Sequence, residues 1–453
     1  MNVTTTCILV NVLGGLLLGF GAIGINTALG PLYTCCFKLL PEAQYSWQLA
    51  CLIASVNVGA ALGAVFGGTF SDHYGRKPTM VIGGVFCFAS VFSLFWNSYY
   101  WHLASRVVTG LGVGLTSSTC GSYVSEMAPS RKRGSLGTLY QVFITVGIFL
   151  ASLVSYVVLG ADRDLPSDEY CQALSTTGVL ASAKVRILTG IFLSIALVFT
   201  AFTASPLTPE SNSWIARKDA LRRRPKKSFL LLFSASRPLA ICVANACALQ
   251  LTGINAVMFY CAKFLEASNV SQKILGTVCI MFWNFVTTLI SLALSDRAGR
   301  RKLLVPSVMT LTLSMFLLTV VVRCAPFMDR VTCSVISFLL LAIYIAAFEI
   351  GPGTLFWVVC NEVFPEELSQ LGFGFINALQ WGFTLLVTFT FPSLQNTLGP
   401  YVFLIFGVPG AFITAFLYLC LPETKQRSRA SIAAELAGKN WLVVGPTKPS
   451  RAH

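Results

Sequence analysis

The chain has 453 residues, of which 55% are hydrophobic and 11% charged, and a formal net charge of +14. Soluble domains carry about a quarter charged residues, so this composition excludes a soluble fold. The surplus of Lys and Arg does not mark a nucleic-acid partner, because it gathers in short segments between apolar runs.

In chain order, twelve apolar runs lie near 7–29, 47–70, 79–98, 101–126, 135–160, 183–205, 236–263, 271–295, 303–323, 332–362, 371–397 and 399–421. Each is about twenty residues long, enough to cross a bilayer core as a helix. The sequence therefore predicts an all-α membrane protein with twelve transmembrane helices. The first run has no basic leader, so it reads as a span and not as a secretory signal. Most of the 32 Lys and Arg fall in alternate connections, at 71–78, 128–134, 206–237 and 296–302, and in the tail. "ADRDLPSDE", by contrast, lies in an intervening connection. The positive-inside rule then places the basic connections and both termini in the cytosol. "RKDALRRRPKK" (217–227) reads as a topology signal, with contact to anionic lipid as the alternative.

Fifteen cysteines scatter through the spans without a CxxC pair or a His cluster at ligand spacing, so no metal site is expected. Only Cys35, Cys36, Cys171, Cys324 and Cys333 lie near the outer face, where a disulfide can form.

The chain repeats its own punctuation. "SDHYGRK" (71–77) closes the second span and "SDRAGRRK" (295–302) the eighth, while "PES" (209–211) follows span six and "PET" (422–424) span twelve. The expected organisation is two parallel six-helix halves, 1–205 and 236–422, with a short join at 206–235 and a tail at 423–453. In the repeated loop, Gly75 and Gly299 allow a tight turn, and Asp72 and Asp296 can accept hydrogen bonds from the start of the next helix. Arginines there pair with acidic partners such as Glu126 and Glu362, in an arrangement that would latch one end of the bundle.

Ionisable residues inside spans are functional candidates because burying them unpaired is costly. Arg106, Glu126, Glu349 and Glu362 are the notable ones, and all but Glu349 lie near a span end. Deeper positions hold amides: Gln141, Gln250, Asn255, Asn284 and Gln380. Amides donate and accept without charge, which suits a neutral polyhydroxylated solute. Phe259, Tyr260, Trp357 and Trp381 stand near them and offer apolar faces. Interhelical bonding between amides is the alternative reading. "EIGPGTLFW" places Gly351, Pro352 and Gly353 inside span ten, where a helix break supplies a bend.

These residues resemble the sugar porter family of the major facilitator superfamily. "RVVTGLGVGLTSSTCGSYVSEMAPSRKRG", "PESNSWI", "QLTGINAVMFY" and "PETK" follow its motifs. The wording "LQLTGINAVM", "EMAPSRKRG" and "EIGPGTLFWVV" is most similar to kinetoplastid hexose transporters. The resemblance implies sugar contacts at Gln141, Gln250, Asn255, Asn284, Glu349, Trp357 and Gln380. It implies pocket walls at Ile144 and Trp381, and an outer gate at Phe259 and Tyr260. It implies a cytoplasmic charge network of Arg76, Glu126, Arg133, Arg300, Arg301 and Glu362. The chain departs from the family at Leu249, Thr354 and Ser369, and its join is shorter than usual.

One position bears on mechanism. "LGFGAIGINTAL" (18–29) resembles the family's first-span motif, and the aspartate of proton symporters falls on Gly21. Glycine cannot hold a proton, so the expected activity is facilitated diffusion of a small neutral hexose, D-glucose or D-fructose. The expected location is the plasma membrane, with lipid as the other partner and no cofactor or oligomer required. Proton-coupled sugar or polyol symport is the runner-up, followed by a non-transporting sugar sensor. An enzyme is not expected: "GLGVG" sits inside a span as packing glycine, not in a nucleotide loop.

Overall fold

Inside lipid, each backbone polar group must find its partner within its own segment, so long apolar runs become helices. The computed structural model describes residues 2–24, 42–90, 99–129, 133–159, 183–223, 230–258, 273–365 and 368–437, and each of the twelve runs carries a helix. Spans one to six are Val3–Leu18 with a π turn at Gly19–Gly24, Glu42–Tyr74, Arg76–Ala89, Tyr99–Met127, Arg133–Leu159 and Ala183–Ala204. Spans seven to nine are Ser236–Gln250 with a further turn over 254–258, Lys273–Ala298 and Arg300–Cys324. Span ten joins Arg330–Phe348 to Thr354–Val363 through a π turn, and spans eleven and twelve are Ser369–Leu398 and Leu404–Cys420. Ten of the twelve are individually long and apolar enough to cross a bilayer. The other two are span three, described over 14 residues, and span four, whose interior is rich in Gly, Ser and Thr.

That composition gives span four its place in the core. A Cβ on Gly110 would overlap the carbonyl of Val56 in span two, and one on Gly112 would crowd Cys87 of span three. Small residues let these backbones meet where side chains would hold them apart. "GLGVG" is therefore a packing seam. Between the halves, span two packs on span eleven and span five on span eight. At the first of these contacts, Gly374 lies against the Cα of Gly68. Large apolar side chains such as Phe412, Leu339 and Val157 face outward, as the bilayer requires.

Two spans are less continuous than their apolar runs. Span seven breaks after Gln250, where Gly253 adopts φ 101°, and resumes at Ile254. The break exposes the carbonyl of Thr252, which accepts the Tyr344 hydroxyl of span ten at 3.0 Å. Span ten is itself interrupted by the π turn Glu349–Gly353, which contains Pro352. Each irregular segment is thus buried against a neighbour that satisfies it.

Among the described residues, three short α-helices lie outside the spans. Asn212–Arg223 and Leu230–Ser234 occupy the join. Arg429–Ala437 buries Ile432 and Leu436, and its last turn is capped by Arg237, which donates to the carbonyl of Leu436 at 3.0 Å. Cys324 and Cys333 are free thiols, while Cys35, Cys36 and Cys171 lie outside the described residues.

Candidate functional site

The break in span seven sets the first polar group. Gln250 and Asn255 flank the turn, and the Asn255 amide donates to Gln250 Oε1. Gln250 Nε2 donates in turn to Gln380 Oε1 of span eleven. Gln380 Nε2 donates to Asn377 Oδ1 at 3.1 Å. Asn377 then crosses to the other half, donating to Ser117 at 3.0 Å and Ser118 at 2.8 Å in span four. All four amides are buried, at 7% exposure or less. None faces lipid.

The π turn of span ten sets the second group. It directs Glu349 inward, where Gln141 of span five donates to its Oε2 at 3.3 Å. The same amide accepts the Trp357 indole N–H at 3.0 Å, so Gln141 clasps span ten on both sides of the turn. Tyr140 packs edge-on against the Trp357 ring at 5.2 Å. Thr354, where the family pattern has proline, bonds Ser291 at 2.7 Å and the carbonyl of Glu349 at 2.9 Å, bracing the turn through its hydroxyl. The Glu349 carboxylate is 1% exposed.

Asn284 is 1% exposed and its Oδ1 has no partner; Trp381 Nε1 and the Tyr140 hydroxyl are likewise buried and unpaired. Asn284 Oδ1 is open to accept a hydrogen bond, the Trp381 indole N–H to donate one, and the Tyr140 hydroxyl to do either. Ile144 is buried in the core, and its backbone lies against Gly15 and Gly19 of span one. Phe259 and Tyr260 lie outside the described residues, as does the side chain of Arg133.

A cavity of about 650 Å³ lies away from these groups, between spans eight, nine and ten, lined by Trp283, Pro306, Phe338 and Ile343. It is an apolar groove on the outer surface of the bundle.

The charged residues form two clusters with matching wiring. Arg76 pairs with Glu126 at 2.7 Å and donates to the carbonyl of Ser71 at 2.8 Å. Arg300 pairs with Glu362 at 3.2 Å and donates to the carbonyl of Ser295 at 3.3 Å. Ser211 donates to Glu126 as Thr424 does to Glu362. Each pair stays within its own half. The Arg301 guanidinium takes a different part, donating to the carbonyl of Tyr418 at 2.6 Å; Lys77 does the same to the carbonyl of Ser205 at 2.7 Å.

The expected helix-capping role of Asp72 is corrected here. The backbone N–H groups that open span three, on Arg76 and Lys77, bond Glu210 of "PES" at 2.9 and 3.1 Å. Those opening span nine, on Arg300 and Arg301, bond Glu423 of "PET" at 2.8 and 3.2 Å. Asp72 belongs to the last turn of span two, and its carboxylate lies 3.5 Å from the Arg76 guanidinium. A carboxylate brought from a distant loop can lie on the axis of the new helix, where its dipole favours an anion.

Sequence reasoning missed Asn377, Ser117 and Ser118, and it noted the glutamates of "PES" and "PET" without their role. For Asn377 the available signal was its place three residues before Gln380, on the same helix face.

Comparison with known proteins follows the same lines. The chain is 30% identical over 441 residues to the mouse solute carrier family 2, facilitated glucose transporter member 4, covering 91% of this chain and 84% of that one. It is 29% identical over 463 residues to the galactose-proton symporter of Escherichia coli K12, covering 94% and 92%. A proton:xylose symporter bound to 6-bromo-6-deoxy-D-glucose superposes with TM-score 0.81 at 24% identity, over 95% of this chain and 98% of that one. The inward-open xylose transporter from E. coli superposes with TM-score 0.71 at 23% identity, over 96% and 100%. The family model for "Sugar (and other) transporter" matches residues 7–436. With twelve spans, paired charge clusters and that match over nearly its whole length, the chain belongs to the Sugar (and other) transporter family.

Proposed function

We propose that this protein moves a small neutral hexose, D-glucose or D-fructose, across the membrane by alternating access, as a uniporter. The observation that carries this reading is two buried polar groups that draw on both halves: Gln250, Asn255 and Gln380 of the C-terminal half in the first, and Gln141 of the N-terminal half with Glu349 and Trp357 of the C-terminal half in the second. Uncharged donors and acceptors of this kind match a sugar's hydroxyl edge, and aromatic faces match its C–H surface. Asn284 and Trp381 add unpaired polar atoms for the ligand, and Ile144 forms a wall. Phe259 and Tyr260 act as the outer gate.

The division into 1–205, 206–235, 236–422 and 423–453 fits this cycle. Both charge clusters lie on the cytosolic side with the termini, as the basic connections indicate. Arg76, Glu126 and Arg133 on one side, and Arg300, Arg301 and Glu362 on the other, hold each half as a body that rocks as a unit. The protein works in the plasma membrane without cofactor or obligatory oligomer, and the wording of its motifs resembles that of kinetoplastid hexose transporters.

Uniport is favoured at span one. A Cβ on Gly21 would overlap the Phe192 ring, so the place of a proton-carrying side chain is filled by an aromatic one. The second reading, proton-coupled symport, is favoured by one observation, the buried Glu349 carboxylate. The deciding experiment is radiolabelled hexose uptake in a transporter-null host, with and without a protonophore, across roughly pH 5.5 to 7.5. Uptake insensitive to both is expected; collapse with the protonophore would establish symport instead.

A further inference from the structure

The amide chain has a direction, and its far end sets it. Ser117 spends its hydroxyl hydrogen on the carbonyl of Gly114 at 3.2 Å, and Ser118 on the carbonyl of Ala64 at 3.3 Å. Both serine oxygens are then left to accept. Asn377, fully buried between them and Gln380, must turn its NH₂ toward span four. Its carbonyl oxygen is thereby turned toward Gln380, which has to donate Nε2. Gln380 Oε1 is left to accept from Gln250, and Gln250 Oε1 from Asn255. Reversing any one amide would set donor against donor or acceptor against acceptor in a buried site, a costly mismatch. Two hydroxyls of the N-terminal half thus fix the donor and acceptor faces of three amides in the C-terminal half.

The position of Asn377 gives this a mechanical side. It lies eight residues, about 12 Å, into span eleven from the Ser369 end, and Gln380 is one turn further in. Its bonds to span four therefore join the halves between the Gln250–Gln380 pair and the end of the bundle that carries the charge clusters. Motion that opens the bundle at that end parts span eleven from span four and breaks them.

We propose that Asn377 is a positioning residue for transport: it orients the Gln380 and Gln250 amides for the sugar, and releases that orientation when its bonds to Ser117 and Ser118 part. Sugar is then held with ordered amides while the charged end is closed, and with disordered ones once that end opens. The inference rests on the hexose-transport reading above. In that reading the two states differ in affinity because the site itself changes, and the sugar shifts the equilibrium between them by that difference.

The test is a mutant cycle on hexose uptake in a transporter-null host, with KM and kcat measured separately and surface protein quantified. The variants are Asn377→Leu, which keeps the volume and removes every bond, the double change Ser117→Ala with Ser118→Ala, and all three together. Asn377→Leu and the serine pair are each expected to raise KM about five- to tenfold with kcat per surface molecule kept within about twofold. The triple variant should be no worse than either, because both changes break the same link. The serine pair, which removes only two hydroxyls, carries the test if Asn377→Leu fails to reach the surface. Unchanged KM in the serine pair, or fully additive effects, would overturn the positioning role while leaving hexose transport standing. Absence of uptake by the unaltered protein would overturn the transport reading, and this inference with it.

Discussion

Glu210 lies so close to Gly75 that a Cβ on the glycine would overlap its Oε2, and Glu423 stands against Gly299 in the same way, with a Cβ 2.7 Å from Oε2. Both glycines have a backbone that only glycine adopts without strain, φ 108° and ψ 169° at Gly75 and φ 94° and ψ 156° at Gly299. The duplicated motifs therefore encode one device twice. A distant carboxylate caps a new helix through a gap left by a missing side chain. Gly75→Ala and Gly299→Ala should each destabilise the protein by about 1–3 kcal/mol. Thermal unfolding of purified protein in detergent would register this as a lower Tm.

The amides proposed to face the sugar should behave differently from these caps. Gln141→Ala and Gln250→Ala are expected to cut hexose uptake about tenfold, the loss that corresponds to about 1.4 kcal/mol of binding. Surface biotinylation should show unchanged amounts of protein. Wild-type uptake in both variants would mean that the amides are only interhelical contacts.

Span one offers a test of how firmly the chain excludes a proton carrier. Gly21→Asp would drive its side chain into the Phe192 ring, so the single variant should be poorly expressed. Combining it with Phe192→Ala should recover surface protein by giving the carboxyl room. Good expression of the single variant would show that Phe192 yields easily.

Tyr344 and Thr252 tie the two broken helices together. Tyr344→Phe leaves a buried carbonyl at the span-seven break without its partner, a loss of about 1–3 kcal/mol. A lower Tm is expected, together with faster amide hydrogen exchange around residues 251–258. Unaltered exchange there would mean that the turn is stable without span ten.

Much of this protein was legible in its sequence. The twelve helices follow from apolar run length, because lipid leaves a backbone few other ways to satisfy itself. The two-fold internal likeness showed in "SDHYGRK" and "SDRAGRRK". The interior amides stood out because lipid penalises them. Legibility stopped where partners lie far apart in the chain. Glu210 caps span three from 134 residues away, and nothing local to Asp72 reveals that its expected role has been taken. The break in span seven was hidden too, since "LTGIN" is apolar enough to continue a helix; Gly253 reaches φ 101° because it has no Cβ, and the carbonyl freed at Thr252 finds its partner in Tyr344, 92 residues away.

By itself, then, the sequence determined the membrane, the spans, the paired halves and the chemical character of the interior, all of which depend on composition and spacing along one chain. The tertiary structure alone decided which amide faces which, that Arg76 and Arg300 each close a cluster inside their own half, and that Ser117 and Ser118 orient Asn377. Hydrogen bonds are directional and short, so their pairing depends on how helices pack and rotate against one another. A linear pattern of residues specifies that rotation only through the packing of the whole bundle.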